Sequence, residues 1–210
     1  MPKILSPEDI AEFRDALCKA ATERFARHGY EGVTMRQLAE DLGCSPKTPY
    51  RYFDNKAEIL VIVRASAFGR FADALERAID GETDVLVRSR KLGIAYVDFA
   101  LARPDDYRLM FDLREPVELE HAELARESAR ARRFITQSSE ELKRAGVIDG
   151  DARLTGYGMW AAIHGIVMLA LAGLMRGDAP DARALHRHVA GAILRGTQPA
   201  AFAPRRRETE

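Results

Sequence analysis

Between Gly43 and Leu60 the chain reads GCSPKTPYRYFDNKAEIL, a stretch that gathers groups able to hold a polyanion. Lys47 can donate to guanine acceptors or to a phosphate. The Thr48 hydroxyl can donate to a phosphate while its methyl touches a thymine methyl. Tyr50 and Tyr52 are amphipathic, with rings that pack and hydroxyls that reach phosphates. Arg51 is either a further contact or a solvated surface charge. Residues 42–53 contain Lys47 and Arg51 and no acid. Ser45 and Pro46 lead this segment. Lys56 follows it, where a phosphate would also meet the amides of a helix terminus. Upstream, Thr34 can bond a phosphate, and Arg36 is the side chain best suited to a bidentate guanine contact.

These groups need elements to hold them. Nearly every segment has helical period and no run alternates β-branched residues, so the expected fold class is all-α. Ser6 caps a first helix, with Pro7 at its first position and Asp9 completing a capping box. Ile10, Phe13, Leu17 and Phe25 form its apolar stripe, and Gly29 ends it. Thr34 and Gln37 make a second capping box, with Leu38, Ala39 and Leu42 facing inward. Gly43 closes that helix in the left-handed conformation. Ser45 then caps a third helix beginning at Pro46, and Asn55 with Glu58 opens a fourth. Short helix, Gly-containing turn, short helix is the helix-turn-helix arrangement, whose second helix enters the major groove by its N-terminal end. Pro49, as fourth helical residue, deletes the bond back to the Ser45 carbonyl, so a tightened or distorted first turn is expected there. Later helices are expected at about 84–102, 104–113, 117–145, 151–176 and 180–195, making about nine in all.

Composition limits what the chain can be. Its 210 residues suffice for one large domain or two small ones, and 47% hydrophobic content can fill a core. Lys+Arg and Asp+Glu both number 32, so any surface for a polyanion has to be local. Cys18 and Cys44 have no ligand spacing and read as reduced thiols of a cytoplasmic protein, Cys44 as turn filler. There is no nucleophile motif, metal-ligand spacing or Gly-rich phosphate loop, so no catalytic residue, metal or cofactor is expected; an all-helical enzyme using His164 is the alternative. Acids within the first ten residues argue against a signal peptide. From Leu154 to Met175 no Asp, Glu, Lys or Arg occurs. That length could span a bilayer. His164, the Gly and Ala content and the lack of flanking basic clusters favour a helix buried in a core or a dimer interface, with no membrane partner.

The segment FARHGYEGVTMRQLAEDLGCSPKTPYRYFDNKAEIL, Phe25 to Leu60, resembles the N-terminal DNA-binding domain of the TetR/AcrR family of bacterial regulators. The shared marks are Phe25, Gly29, Tyr30, Thr34, Leu38, Ala39, Gly43, Ser45, Thr48, Tyr50, Tyr52, Phe53, Lys56 and Leu60. Lys47 stands where the family often has glycine, and Pro49 where it usually has leucine or isoleucine; both bear on base preference. The resemblance implies a helix-turn-helix domain at 1–54 and a helical ligand-binding and dimerisation domain at 55–196; the tail at 197–210, rich in Pro and charge, is expected from its composition to be disordered. The resemblance also implies a homodimer on double-stranded DNA, formed through the helices at about 151–176 and 180–195. The expected function is a repressor that a small apolar or aromatic effector releases from a palindrome-like operator, with an activator and a ligand that promotes DNA binding as the alternatives.

WAAIHG, Trp160 to Gly165, together with RPDDYRLMF, Arg103 to Phe111, resembles the subset of that family whose C-terminal domain carries a Trp-His-Gly signature. Trp160 and His164 lie four apart on one helix face. They read either as a core tryptophan with a hydrogen-bonded histidine or as the lining of an inducer pocket. Phe68, Phe71, Tyr96, Phe99, Tyr107, Met110, Phe111, Phe134 and Met168 are candidates for its apolar walls. On the last helix, at 180–195, Leu185, Val189, Ile193 and Leu194 form one apolar stripe that His186 and His188 flank, as rim residues rather than metal ligands.

Overall fold

In the computed structural model the described residues are 6–111 and 121–197, and among them every regular element is helical. The order is α1 (Pro7–His28), α2 (Met35–Asp41), a 3-10 turn (Pro49–Arg51), α3 (Lys56–Ile79), α4 (Val85–Ala102), α5 (Pro104–Met110), α6 (Ala122–Arg144), α7 (Ala152–Leu171) and α8 (Ala182–Gly196). The break expected at Pro116 and the tail beyond Thr197 lie outside the described residues.

Local chemistry sets the first boundaries. Ser6 Oγ accepts from the Asp9 amide at 3.1 Å, and the Asp9 carboxylate accepts from the Ser6 amide at 2.9 Å, with Pro7 at the first position. Thr34 and Gln37 close the same box at α2. That helix ends in a Schellman motif: the Cys44 amide donates to the Ala39 carbonyl at 2.9 Å and the Gly43 amide to Glu40 at 3.1 Å. Gly43 sits at φ 63°, the left-handed region that only glycine enters at little cost. At α3 the box is shifted by one residue. Asn55 Oδ1 accepts from the Glu58 amide at 2.9 Å, but the Glu58 carboxylate accepts from Asp54 at 2.7 Å rather than from Asn55.

The third helix expected from Pro46 is not an α-helix. The Ser45 carbonyl, which Pro49 cannot reach without an N–H, accepts instead from the Thr48 amide at 2.8 Å. Arg51 then donates to Thr48 at 3.0 Å and Tyr52 to Pro49 at 3.0 Å. The segment is thus a run of three-residue closures with one 3-10 turn at Pro49–Arg51, ending in a single four-residue closure from the Phe53 amide to the Pro49 carbonyl at 3.1 Å.

The chain forms two compact units, Met1–Arg70 with Arg103–Ala129, and Phe71–Ala102 with Arg130–Glu210. In the first, Leu17, Ala21 and Phe25 of α1 pack with Leu38, Phe53, Ile59, Val63 and Leu109. Arg70 Nε and Nη2 grip both carboxylate oxygens of Asp106, at 2.9 and 2.6 Å, fastening α5 to α3. Burial pushes the Cys18 thiol up to about 11. Ile10, expected on the inner stripe of α1, is exposed.

In the second unit α7 passes so close to α6 that a Cβ on Gly156 would lie 2.2 Å from the Ile135 carbonyl oxygen and 2.7 Å from Ser139 Oγ. A Cβ on Gly93 of α4 would lie 2.0 Å from His186 Nε2 of α8. Arg130 of α6 donates to Asp73 at 2.6 Å and also to Glu76, both on α3, and Arg133 reaches Glu76 at 2.5 Å. α7 is long and apolar enough to cross a membrane, yet 28% of that window is buried. Ala152, Thr155, Gly156, Ile163, Ile166 and Val167 are covered, whereas Leu154, Tyr157, Met168 and Leu169 are exposed. The helix is therefore covered on one side only.

Two outcomes follow from this packing. Gly156→Ala should cost about 1–3 kcal/mol by forcing α7 off α6. Gly158→Ala, with nothing within 4 Å of the added carbon, should be neutral or stabilising by up to about 1 kcal/mol in thermal melts. The hydrogen bond from Arg130 holds the Glu76 carboxyl below its ordinary value. A depressed carboxyl contributes stability that is present above the unfolded-state pKa and lost as pH falls through the folded one. Melting between about pH 5 and pH 3 should therefore fall less steeply for Glu76→Gln than for the unaltered chain.

Candidate nucleic-acid interface

The residues that could meet DNA all belong to the first unit, on α2, the 3-10 turn, the loop between them and the first residue of α3. Ser45, Pro46, Lys47, Tyr50 and Arg51 are exposed and Thr48 is half-buried. Tyr50 is 57% exposed, which for a tyrosine with Pro49 buried beside it marks a ring turned outward. Tyr52 is half-buried, its ring stacked on Phe13 at 4.3 Å. Phe53 is 2% exposed and anchors the segment in the core.

The remaining candidates are engaged within the protein. Thr34 is the cap of α2: its Oγ1 accepts from the Gln37 amide at 3.3 Å and donates to the Gln37 side chain at 3.0 Å. Arg36 is exposed and pairs with Glu40 at 2.9 Å, one helical turn on. Lys56 donates to the Tyr30 carbonyl at 2.7 Å and lies 3.9 Å from the centroid of the Tyr30 ring. Its ammonium therefore ties the start of α3 to the loop before α2.

Electrostatics favour an anion at the turn because residues 42–53 carry Lys47 and Arg51 and no acid, and the acids Glu40 and Asp41 of α2 are paired. Arg24 clasps both oxygens of Asp41, one at 2.6 Å, and this hydrogen bonding holds the Asp41 carboxyl below the usual carboxylate range. Glu40 is paired with Arg36. Glu58 accepts from the Asp54 backbone amide and faces Arg14 at 3.9 Å. Lys47 and Arg51 remain as exposed cations on a stretch without acids.

Sequence reasoning passed over Arg14. Its guanidinium donates to the Tyr52 carbonyl and lies 4.1 Å from the Phe53 ring centroid. Thirty-eight positions separate Arg14 from Tyr52, and nothing in the local sequence marks the pairing.

The aromatic candidates for ligand contact fall into two groups. Phe68, Tyr107, Met110 and Phe111 belong to the first unit, with Phe68–Phe111 and Tyr107–Phe111 centroids at 6.3 and 4.8 Å. In the second unit Phe71 meets Tyr96 edge-on and Phe99 at a tilt, both at 5.1 Å. Trp160 Nε1 donates to the Tyr96 hydroxyl at 3.2 Å, and the Trp160 and His164 rings are 6.0 Å apart. Burial lowers the His164 pKa, favouring the neutral imidazole. Phe134 is half-buried beneath the Arg133 guanidinium at 5.0 Å, and Met168 is 45% exposed.

If Lys56 acts as an internal tether, Lys56→Ala should lower stability by about 1–2 kcal/mol, the worth of a hydrogen bond and a cation–π contact. Lys47→Ala, at an exposed site, should stay within about 0.5 kcal/mol of the unaltered chain in the same denaturant titration.

The fold and this segment have counterparts. The family model described as "Bacterial regulatory proteins, tetR family" matches residues 17–62, and that described as "Tetracyclin repressor-like, C-terminal domain" matches residues 89–193, half of the chain. HTH-type transcriptional regulator Rv1816 of Mycobacterium tuberculosis is 29% identical over 134 residues, covering 61% of this chain and 54% of the relative. HTH-type transcriptional repressor AcnR of Corynebacterium jeikeium is 30% identical over 93 residues, covering 44% and 49%. The chain thus spans about half the length of the curated relatives it matches. A solved structure from Rhodococcus sp. RHA1, of a protein with unknown function, aligns with a TM-score of 0.76 and 26% identity over 95% of this chain and 100% of the other.

Proposed function

This chain belongs to the tetR family of bacterial regulatory proteins, and from that premise we propose that it is a cytoplasmic, ligand-responsive transcriptional repressor that binds a palindrome-like operator as a homodimer. The observation that carries this is the exposed edge made by Ser45, Pro46, Lys47, Tyr50 and Arg51, on a stretch from 42 to 53 that contains no acid. Lys47 and the Tyr50 hydroxyl meet phosphates or base edges at the tip of the turn. Thr48 and Arg51 extend that contact, while Thr34 and Arg36 meet the duplex from the start of α2. Arg36 reaches a base by exchanging its partner Glu40 for guanine. Tyr52 and Lys56 take part through their packed rings and tethers as much as through DNA.

The partner is a second copy of this chain. Leu154, Tyr157, Ala161, Met168 and Ala172 follow one another at helical spacing and are all exposed. A contiguous exposed apolar stripe of this kind marks an interaction site. Small residues along it allow close approach of a second helix, and α8 adds Leu185, Val189 and Ile193. Two-fold pairing gives two reading turns at the spacing of half-sites. We assign α7 to this pairing rather than to a bilayer because its other side is packed within the second unit.

The effector is a small apolar or aromatic molecule held among the helices of the second unit. Phe71, Tyr96, Phe99, Trp160 and His164 supply rings and neutral polar atoms but no charge. Trp160, His164 and Gly165 support a place in the Trp-His-Gly subset. α3 runs from Lys56 to Ile79 and contributes to both units. A shift of α3 on ligand binding changes the separation of the two reading turns, and a duplex of fixed pitch then binds less well.

Selection from random duplex DNA tests the reading, with the unaltered chain recovering a near-palindrome whose affinity falls steeply with salt. Lys47→Ala with Tyr50→Ala should reduce operator affinity by about 10–100-fold without changing the melt, and unchanged binding would refute the assignment. Met168→Glu should shift sedimentation from dimer to monomer and weaken operator binding with it.

A further inference from the structure

We infer that Arg14 of α1 is a positioning residue for DNA reading: it fixes the angle of the 3-10 turn from behind and makes no contact with the duplex. The inference rests on the DNA-binding reading above. A single 3-10 turn of Pro49–Arg51 has few hydrogen bonds of its own, and Pro49 removes one more. What orients Lys47, Thr48 and Tyr50 must therefore come from outside the turn.

Three contacts from two adjacent residues of α1 supply it. Arg14 donates to the carbonyl of Tyr52, the residue that closes the turn, where a cation meets the negative end of the aligned peptide groups. Its planar guanidinium also lies 4.1 Å from the centroid of Phe53, the core anchor of the same segment. Phe13 stacks on Tyr52 at 4.3 Å. The pair Tyr52–Phe53 is thus held by the pair Phe13–Arg14. α1 is in turn fixed by Leu17, Ala21 and Phe25, each no more than 1% exposed. Glu58 lies 3.9 Å from the Arg14 guanidinium. A lysine could keep the charge and one donor but not the planar guanidinium face that lies over Phe53.

The test uses the full chain, the duplex selected by the unaltered chain, and a scrambled duplex of equal length, each titrated over a range of salt. Arg14→Ala should lose about tenfold in affinity for the selected duplex, the size of one charge-assisted hydrogen bond, and little for the scrambled one. The slope of affinity against salt should stay the same, because no phosphate contact is removed. Arg14→Lys should recover only part of the loss. Phe13→Leu, which leaves every charge in place, should lower the ratio of selected to scrambled binding in the same direction. A salt slope reduced by about one, with equal losses on both duplexes, would make Arg14 a phosphate contact and overturn the inference. Full recovery by lysine, unchanged selectivity in Arg14→Ala, or a loss that tracks the fraction unfolded in melts would overturn it as well. Failure of the unaltered chain to select any duplex would overturn the DNA-binding reading and this inference together, whereas the other adverse outcomes leave that reading standing.

Discussion

The missing amide hydrogen of Pro49 governs the first unit. A helix that began at Pro46 would return the amide of its fourth residue to the Ser45 carbonyl, and proline has none to return. The carbonyl takes the Thr48 amide instead, one residue earlier, and the tighter closure propagates to Arg51 and Tyr52. A three-residue element of this kind has too little internal bonding to hold a direction. Its neighbours supply it: Pro49 and Phe53 are buried beneath, Phe13 and Arg14 grip the far end, and the Schellman closure at Gly43 sets the angle at which the chain arrives. The outward edge is left to Lys47, Tyr50 and Arg51.

Much of this was legible because the deciding chemistry is local. A capping box needs only Ser6 and Asp9, or Thr34 and Gln37, and a left-handed closure needs only a glycine at the right step. Pro49 announced a disturbed turn, although not that the whole α-helix would give way to a 3-10 turn. What escaped the sequence is what joins distant positions. Arg14 meets Tyr52 across 38 residues and Lys56 meets Tyr30 across 26, and none of the four side chains is unusual in its own neighbourhood. Lys56 carried the same signal whether it faced a phosphate or a tyrosine ring.

The second unit teaches the same lesson with apolar residues. An uncharged stretch from Leu154 to Met175 says that a helix avoids water on all sides, but not how much of it one chain can cover. Gly156 answers in part, since it lets α7 close onto the Ile135 carbonyl. The opposite stripe, from Leu154 to Met168, is exposed. The aromatic residues were likewise visible as types, while their division between the two units depends on where α3 passes from one to the other.

The burial that raises the Cys18 thiol to about 11 has a practical side. At neutral pH that sulfur is almost wholly protonated, and electrophiles react with thiolate. The chain has only one other cysteine, Cys44, half-buried in the loop between α2 and the 3-10 turn. A thiol-reactive dye added to the unaltered protein would therefore favour that position. The chain thus carries a native attachment point for a fluorophore a few residues from Lys47, beside the 3-10 turn.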